Sequence, residues 1–297
     1  MSLAPPASGI GVSVVMVVYR TGPALSDSLA QALAAEGVDE LVVVDNGATV
    51  EETAAMDAAA AADPRVRLIR GQGNVGFARG ANLGARAARG RVLVFLNPDA
   101  FLQAGCLGAL KAALETGRPP CLVGARVMNA DGTEQRGGRR GEVTPLSTVL
   151  SLTRLSARAP GLAGFEIHQE GAPLPDGPVA TPTVSGACFA MTAADFRAVG
   201  GFDEGYFLHV EDIDLCWRVR RSGGTVLFQP KAEVIHLGST SGAAPLTVEL
   251  HKGFGLARYF RKRAETAPAR LAAWLLSPAV IAAAAARAGL RRRPARR

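Results

Sequence analysis

Asp45, Asp99, the pair Glu211–Asp212, and His236 are the residues whose types and settings carry chemistry. Asp99 closes Asn97-Pro98-Asp99 directly after the apolar run Val92 to Leu96. Pro98 has no N–H for a sheet ladder, so the strand stops there and Asp99 stands just past its carboxyl edge. Asn, Pro and Asp are also ordinary turn formers, which is the plainer account of the same three residues. Asp45 stands in the same way after Glu40 to Val44, followed by Asn46-Gly47. Two acids therefore reach one rim from separate strands, and a turn-only account leaves that to coincidence.

Glu211, Asp212 and Asp214 fall within four residues, where a helix running to about Ser222 begins. Acids in a first turn favour the helix dipole. Asp214 and Arg218 have the i, i+4 spacing of a surface pair, so Asp214 reads as a solvated helix acid. Glu211 and Asp212 differ, because Tyr206-Phe207-Leu208 gives them an apolar approach that can hold a carboxylate in a partly dry site. His236 follows another apolar segment in VIHLGSTS; taken alone, such a histidine is more often structural.

The elements that position these residues alternate. Val12–Val18, Glu40–Val44, Val66–Arg70 and Val92–Leu96 read as strands, and 23–35, 50–62 and 77–88 as helices. Strand–helix alternation of this kind gives a parallel sheet with helices on both faces, whose ligands sit beyond the carboxyl ends of the strands. Tyr19-Arg20 lies at the end of the first strand, on that rim. A further strand is expected over 121–126, then a Gly- and Arg-rich stretch over 129–145 and a Pro/Gly-rich loop over 171–182. A strand over 183–191 and a short helix over 193–199 follow.

Gly71-x-Gly73-x-x-Gly76 spells a dinucleotide fingerprint, but it follows the third strand rather than the first, and Asp99 comes too late to serve as its acid. No NAD or flavin is expected; a flexible loop that admits a phosphate is.

The 297 residues allow one large or two small domains. Residues 258–297 hold 11 Lys or Arg and one acid, a net of +10, so the preceding 257 residues sum to −3 within the chain total of +7. A near-neutral body with a basic tail argues against nucleic-acid binding. Four scattered cysteines and no N-terminal signal pattern point to a reduced, cytoplasmic setting. Leu271 to Ala286 is apolar apart from Ser277 and contains Pro278. Those 16 residues would span roughly 24 Å as a helix, short of a ~30 Å hydrocarbon core. The expectation is a helix lying on an anionic membrane face or packed on the domain, not one that spans.

Taken together, VVMVVYR, LVVVDNG, NVGFARGANLG, VFLNPDA, SGACFAMTAADFRAVGGFDEGYFLHVEDIDLCWRVRRSG and VIHLGSTS resemble the family 2 glycosyltransferases of GT-A fold, and among them the rhamnosyltransferase-like members. The resemblance covers about Val12 to Ser241. It implies an α/β fold with a mostly parallel sheet flanked by helices, and a C-terminal helical basic tail. It divides the chain into a transferase domain over 1–245 and the tail over 246–297, with a nucleotide-binding half at about 10–126 and an acceptor and catalytic half at about 127–245.

The resemblance also implies roles. Asp45 would contact the base and ribose of a nucleotide-diphosphate sugar, with Tyr19, Gly76, Asn82 and Asn97 lining the donor pocket. Asp99 and His236 would hold a divalent metal, Mn2+ or Mg2+, against the diphosphate, and Asp212, beside Glu211, would be the catalytic base. The reaction would be an inverting transfer to a glycan or lipid-linked acceptor in cell-surface polysaccharide synthesis. Asn97 departs from the usual Asp-x-Asp metal motif and leaves the ion one carboxylate fewer. A nucleotidyltransferase would carry a basic Gly-rich loop where Tyr19-Arg20-Thr21-Gly22 stands, and a non-catalytic nucleotide-binding module has no use for Glu211–Asp212 or His236.

Overall fold

In the computed structural model, residues 11–152, 160–238 and 240–291 are described. Ser239 of the VIHLGSTS segment and the Arg-rich end of the tail, 292–297, lie outside them. The chain opens as β1 (Val12–Val18), α1 (Ala24–Ala34), β2 (Glu40–Asp45), α2 (Val50–Ala62), β3 (Val66–Ile69), α3 (Phe77–Ala87) and β4 (Val92–Leu96). These four strands pair in parallel in the order β3-β2-β1-β4. Every residue of β1 is buried, as the centre of a doubly covered sheet requires. Glycine lets α3 rest directly on β1, since a Cβ on Gly84 would come within 2.5 Å of Val15 Cγ1.

The second half is less regular: β5 (Ala100–Leu102), α4 (Cys106–Leu114), β6 (Cys121–Met128), β7 (Arg139–Arg140), α5 (Pro145–Leu152), a 3-10 turn (Pro160–Phe165), β8 (Val179–Ala180) and β9 (Thr183–Val184). Then come β10 (Cys188–Thr192), α6 (Ala193–Ala198), α7 (Glu211–Arg221), β11 (Thr225–His236), α8 (Pro245–Arg263) and α9 (Ala267–Arg291). One nine-stranded sheet results, in the order β3-β2-β1-β4-β10-β6-β11-β5, with β8 on β11. β10 runs antiparallel to both neighbours, β4 and β6, so the sheet is mixed.

The single strand expected over 183–191 is two strands. The chain turns at Ser185–Ala187, sending β9 to a two-stranded ribbon with β7 and β10 to the main sheet. On one face of the sheet Leu25, Leu29, Met56 and Leu110 are buried. On the other, Phe95, Phe189, Phe196 and Phe202 form an aromatic cluster, with Phe95 and Phe189 stacked at 4.8 Å.

The tail differs from the sequence expectation. α9 is one helix of 25 residues that runs through Pro278, about 37 Å at 1.5 Å per residue, and so long enough to cross a ~30 Å core. Pro278 removes one ladder hydrogen bond, but packing against α8 holds the helix across the gap. That packing buries Ala273, Ser277, Ala284 and Ala288. Gly253 of α8 brings the two helices close, since a Cβ there would lie 2.9 Å from that of Ala284. Within Ala267–Gly289 the most apolar 18-residue window has a mean hydropathy of 1.6, yet only 11% of that window is buried.

Candidate active site

The carboxyl rim collects most of the residues singled out from the sequence. Asp45 ends β2, and its Oδ1 accepts from the N–H groups of Gly47 (3.1 Å) and Ala48 (2.9 Å), an Asx turn that fixes the carboxylate at the rim. Its Oδ2 faces Arg70 Nε at 3.9 Å. The glycine loop is stitched to the same turn: Asn46 Nδ2 donates to Asn74 Oδ1 (3.1 Å), and Val75 N–H donates to Asn46 Oδ1 (3.0 Å). Tyr19 packs its ring against Gly47, where an added Cβ would sit 3.3 Å from Cδ2. At Gly76 φ is +84°, and a Cβ would meet Phe207 O at 2.6 Å; the next N–H, of Phe77, donates to that oxygen at 2.7 Å.

Strand register joins Asn97, Asp99 and His236. β5 pairs antiparallel with β11, with Ala100 opposite His236, so Asp99 comes beside the last residue of β11. His236 Nε2 lies 3.2 Å from Asp99 Oδ1 and accepts from Asn97 Nδ2 at 3.1 Å, while Nδ1–H donates to Gln135 Oε1 at 2.7 Å. In the tautomer that satisfies both amides, two acceptors face each other across the Asp99–His236 gap. Burial works to raise the Asp99 pKa, but in the protonated state of His236 its hydrogen bond and charge, with the Thr240 hydroxyl, hold it below the usual carboxylate range. Among the described residues no group of three or more His, Cys, Asp or Glu gathers, so a cation here would rely on Asp99, His236 and the Asn97 amide.

Glu211 and Asp212 begin α7, after two non-glycine residues with left-handed backbone, His209 (φ 66°) and Val210 (φ 74°). Their environments separate them. The Glu211 carboxyl is buried, with Oε2 lacking a hydrogen-bond partner, and burial followed by the Asp212 charge pushes its pKa up to about 8. Asp212 shares the burial, but the charge and hydrogen bond of Arg140 outweigh it and bring its pKa below normal. Asp212 Oδ2 accepts from Arg140 Nη2 (2.8 Å) and Gly186 N–H (3.1 Å), and Oδ1 from Ile213 N–H (2.8 Å). At neutral pH this is a protonated Glu211 beside an ionised, immobilised Asp212. Glu211 therefore does not raise the basicity of Asp212 by charge.

Two sequence expectations are corrected. Asn82 does not reach this rim. Its amide clamps the backbone of Phe202, accepting from N–H (2.9 Å) and donating to O (2.9 Å), and it also donates to Glu204 (3.0 Å). It lines a cleft at the amino ends of β1 and β4, the opposite edge of the sheet. Asp214 is not a solvated surface acid but is fully buried. It binds Arg218 Nε (2.6 Å), Lys262 Nζ (2.7 Å) and Tyr206 Oη (3.2 Å), tying α8 to α7. The apolar side of α7 faces the α8–α9 pair, which excludes water from the pairing the spacing suggested.

Arg140 and Gln135 are the residues the sequence reading missed. Gly137-Gly138-Arg139-Arg140 was visible only as a Gly- and Arg-rich stretch, and no local signal says that the β7–β9 ribbon delivers Arg140 to a helix 72 positions later.

Comparison with known proteins gives the class to which this sheet and rim belong, the glycosyltransferases of GT-A fold. The family model for glycosyl transferase family 2 matches residues 13–169, and that for the N-terminal domain of galactosyltransferase matches 170–239. The chain belongs to glycosyl transferase family 2. It is 29% identical over 245 residues to the N-acetylglucosaminyl-diphospho-decaprenol L-rhamnosyltransferase of Mycobacterium tuberculosis (strain CDC 1551 / Oshkosh), covering 75% of each chain. Among solved structures, the mannosyltransferase PcManGT of Pyrobaculum calidifontis, in complex with GDP-Man and Mn2+, superposes with a TM-score of 0.59 at 18% identity, over 97% of this chain and 77% of that one. GalNAc-T7 with UDP, GalNAc and Mn2+ superposes with a TM-score of 0.59 at 18% identity, over 86% of this chain but only 52% of that one.

Proposed function

We propose that this glycosyltransferase moves rhamnose from a nucleotide-diphosphate sugar to a lipid-linked saccharide, with inversion at the anomeric carbon, in the synthesis of a cell-surface polysaccharide. The observation that carries the reading is the Ser185–Ala187 turn. Gly186 N–H donates to Asp212 (3.1 Å), and Ala187 O accepts from Asn97 N–H (2.9 Å). One turn thus spaces the carboxylate for the acceptor against the residues for the donor's diphosphate. Rhamnose and the lipid-linked acceptor rest on the mycobacterial relative; nothing in the site favours nucleotidyl transfer or simple nucleotide binding.

In this reading residues 1–245 are the transferase unit and 246–297 the tail. Tyr19 and Asp45 hold the nucleoside, and Gly76 admits the donor close to the backbone. Asp99 and His236 fit a divalent ion, Mn2+ or Mg2+, because the Nδ1–H bond to Gln135 leaves Nε2 with a lone pair on the Asp99 side; Asn97, whose Nδ2 now donates to that lone pair, would turn its amide to offer oxygen instead. Such an ion, when bound, supplies positive charge that stabilises the departing diphosphate. Asp212 takes the proton of the acceptor hydroxyl as its oxygen bonds to the sugar. Arg140 and the Gly186 N–H keep that carboxylate in place, and protonated Glu211 leaves Asp212 as the ionised member of the pair. The outer face of α9, with Leu271, Trp274, Leu275 and Leu276 exposed, rests on an anionic membrane surface on the cytoplasmic side, where a lipid-linked acceptor is presented.

The test is a panel of nucleotide-diphosphate sugars, with and without Mn2+, supplied with a polyprenyl-diphosphate saccharide and read by mass spectrometry. A rhamnosylated lipid product is expected. Asp212→Asn should fold, bind donor normally and lose on the order of 10² to 10⁴ in turnover. Transfer of a different sugar, or parent-like turnover in Asp212→Asn, overturns the corresponding part of the reading.

A further inference from the structure

Lys262, in the last turn of α8, reaches two acids of another segment at once. Its Nζ lies 2.8 Å from Asp203 Oδ2 and 2.7 Å from Asp214 Oδ1. Between those acids runs the stretch 204–213, with Glu211 and Asp212 near its end. A lysine at a helix C-terminus is ordinarily explained by the helix dipole, but the dipole calls for no carboxylate on a second element, and here there are two.

Other residues on that side of α8 meet the same stretch. His251 stacks on Phe207 at 4.8 Å. Gly255 lies against the turn that precedes α7, where an added Cβ would come 3.1 Å from His209 O and 2.9 Å from Val210 Cγ2. Arg258 donates to both oxygens of Asp203, at 2.9 and 3.0 Å, and its guanidinium stands 5.4 Å from the centre of the Tyr206 ring. Positions 251, 255, 258 and 262 are three or four apart, so they form one stripe along the helix. The backing matters because 199–210 forms no helix or strand of its own. It also carries left-handed φ at His209 (66°) and Val210 (74°), and a β-branched residue keeps that conformation only where its surroundings impose it.

The same stretch touches the site at two more points. Phe207 O accepts from Phe77 N–H at 2.7 Å, beside the glycine loop, and Asp212 accepts from Arg140 and the Gly186 N–H. Burial works to raise the Asp203 pKa, but the bonds from Lys262, the Gly205 N–H and Arg258 bring it down to about 2, so this carboxylate is charged. Without Lys262, Asp214 keeps Arg218 and Tyr206, and Asp203 keeps Arg258; each acid retains a partner while the link between them is lost. We infer that Lys262 is a positioning residue for the transfer: by clasping Asp203 and Asp214 it fixes the 203–214 segment, and with it Asp212, against α8. The inference rests on Asp212 as the base, and it gives a helix of the tail, outside both matched family segments, a part in aligning that base.

Amide hydrogen exchange of the full-length protein, read by mass spectrometry, tests the clasp itself. In Lys262→Met, peptides from 203–214 should exchange on the order of tenfold faster, with peptides from β1 and β2 at the parent rate. Asp203→Asn leaves Asp214 paired with Lys262 and keeps an oxygen for the Gly205 N–H, and it should give the same pattern. Unchanged exchange of 203–214 in both variants overturns the inference. So does acceleration spread over the whole chain in both, which would make Lys262 a general stabiliser.

Single-turnover transfer, with the donor and acceptor that the panel above selects, tests the consequence. Both variants should lose about tenfold to a hundredfold in rate, the scale of a misplaced catalytic group. Nucleoside diphosphate affinity should stay within about twofold, because Asp45 is fixed by its own turn. In an Asp212→Asn background the Lys262→Met loss should vanish, since a residue that acts through the base has nothing left to position. An equal loss in that background, or parent rates alongside faster exchange, overturns the inference. Parent-like transfer by Asp212→Asn alone refutes the base and not the clasp, which the exchange measurement still decides.

Discussion

Arg140 and Asp212 are 72 residues apart in sequence, yet the Arg140 guanidinium donates to Asp212 Oδ2 at 2.8 Å with both side chains largely shielded, at 16% and 13% exposure. This pair decides the ionisation of the proposed base. Arg140 keeps the Asp212 pKa below the usual carboxylate range against the opposing effect of burial. Removing Arg140 leaves desolvation in command, so the Asp212 pKa rises. Arg140→Met is therefore expected to move the acid limb of the turnover–pH profile to higher pH, and to lower stability by about 1–3 kcal/mol. An acid limb that stays in place, measured in single-turnover reactions, would separate Arg140 from the base.

Glu211 sets a second pH dependence with a definite sign. Its folded-state pKa, about 8, lies above the unfolded value of 4.5. The folded state therefore holds the extra proton between those values, and stability slopes downward as pH rises from 4.5 to about 8. The contribution is complete below 4.5 and gone above 8. Glu211→Gln, neutral at every pH, should flatten this decline and be more stable than the parent at pH 9 relative to pH 6. Urea unfolding at the two pH values measures it; parallel curves for parent and variant would contradict a protonated Glu211.

Gln135 orients His236 through its 2.7 Å bond to Nδ1. Gln135→Leu should leave the nucleoside-binding residues untouched and weaken Mn2+-dependent donor binding about 10- to 100-fold, the usual effect of losing an outer partner of a metal-binding histidine. Donor titrations with and without Mn2+ give the answer. An unchanged Mn2+ requirement would remove His236 from the ion's ligands.

Trp274 is 63% exposed on α9, with Arg261 stacked against its ring at 4.4 Å. Its fluorescence should shift to the blue on addition of phosphatidylglycerol vesicles and much less with neutral ones. Leu275→Glu, on the same outer face at 72% exposure, should abolish vesicle binding without unfolding the protein. Retained binding in that variant would place the contact elsewhere.

The first half of the fold was legible because each βαβ unit is a local pattern. Val12–Val18 is an unbroken apolar run, and Pro98 marks the end of β4 in the sequence itself. Asp99 and His236 were found as separate signals; that they touch depends on the β5–β11 register, which no local pattern encodes. Asp214 was misread because its i, i+4 partner Arg218 was visible while Lys262, on a helix that arrives 48 residues later, was not. Asn82 was misplaced because a helix-borne Asn beside a glycine loop looks the same whether it faces a ligand or the backbone of Phe202. The length of α9 was underestimated because only the apolar stretch Leu271–Ala286 was counted, whereas the helix runs on at both ends, from Ala267 to Arg291.

The reversed strand β10 has a consequence for synthesis on the ribosome. β4 and β6 each need β10 to cover one side, yet β10 is translated about sixty residues after β6 ends, and it falls beyond position 169, where the first matched family segment stops. Until residue 192 has emerged, the apolar β4 offers an uncovered line of backbone N–H and C=O groups to any other extended chain. A fragment cut at the boundary between the two matched segments would keep that line permanently open. The two segments thus complete a single sheet, and nascent chains paused before β10 are expected to be exposed to mispairing.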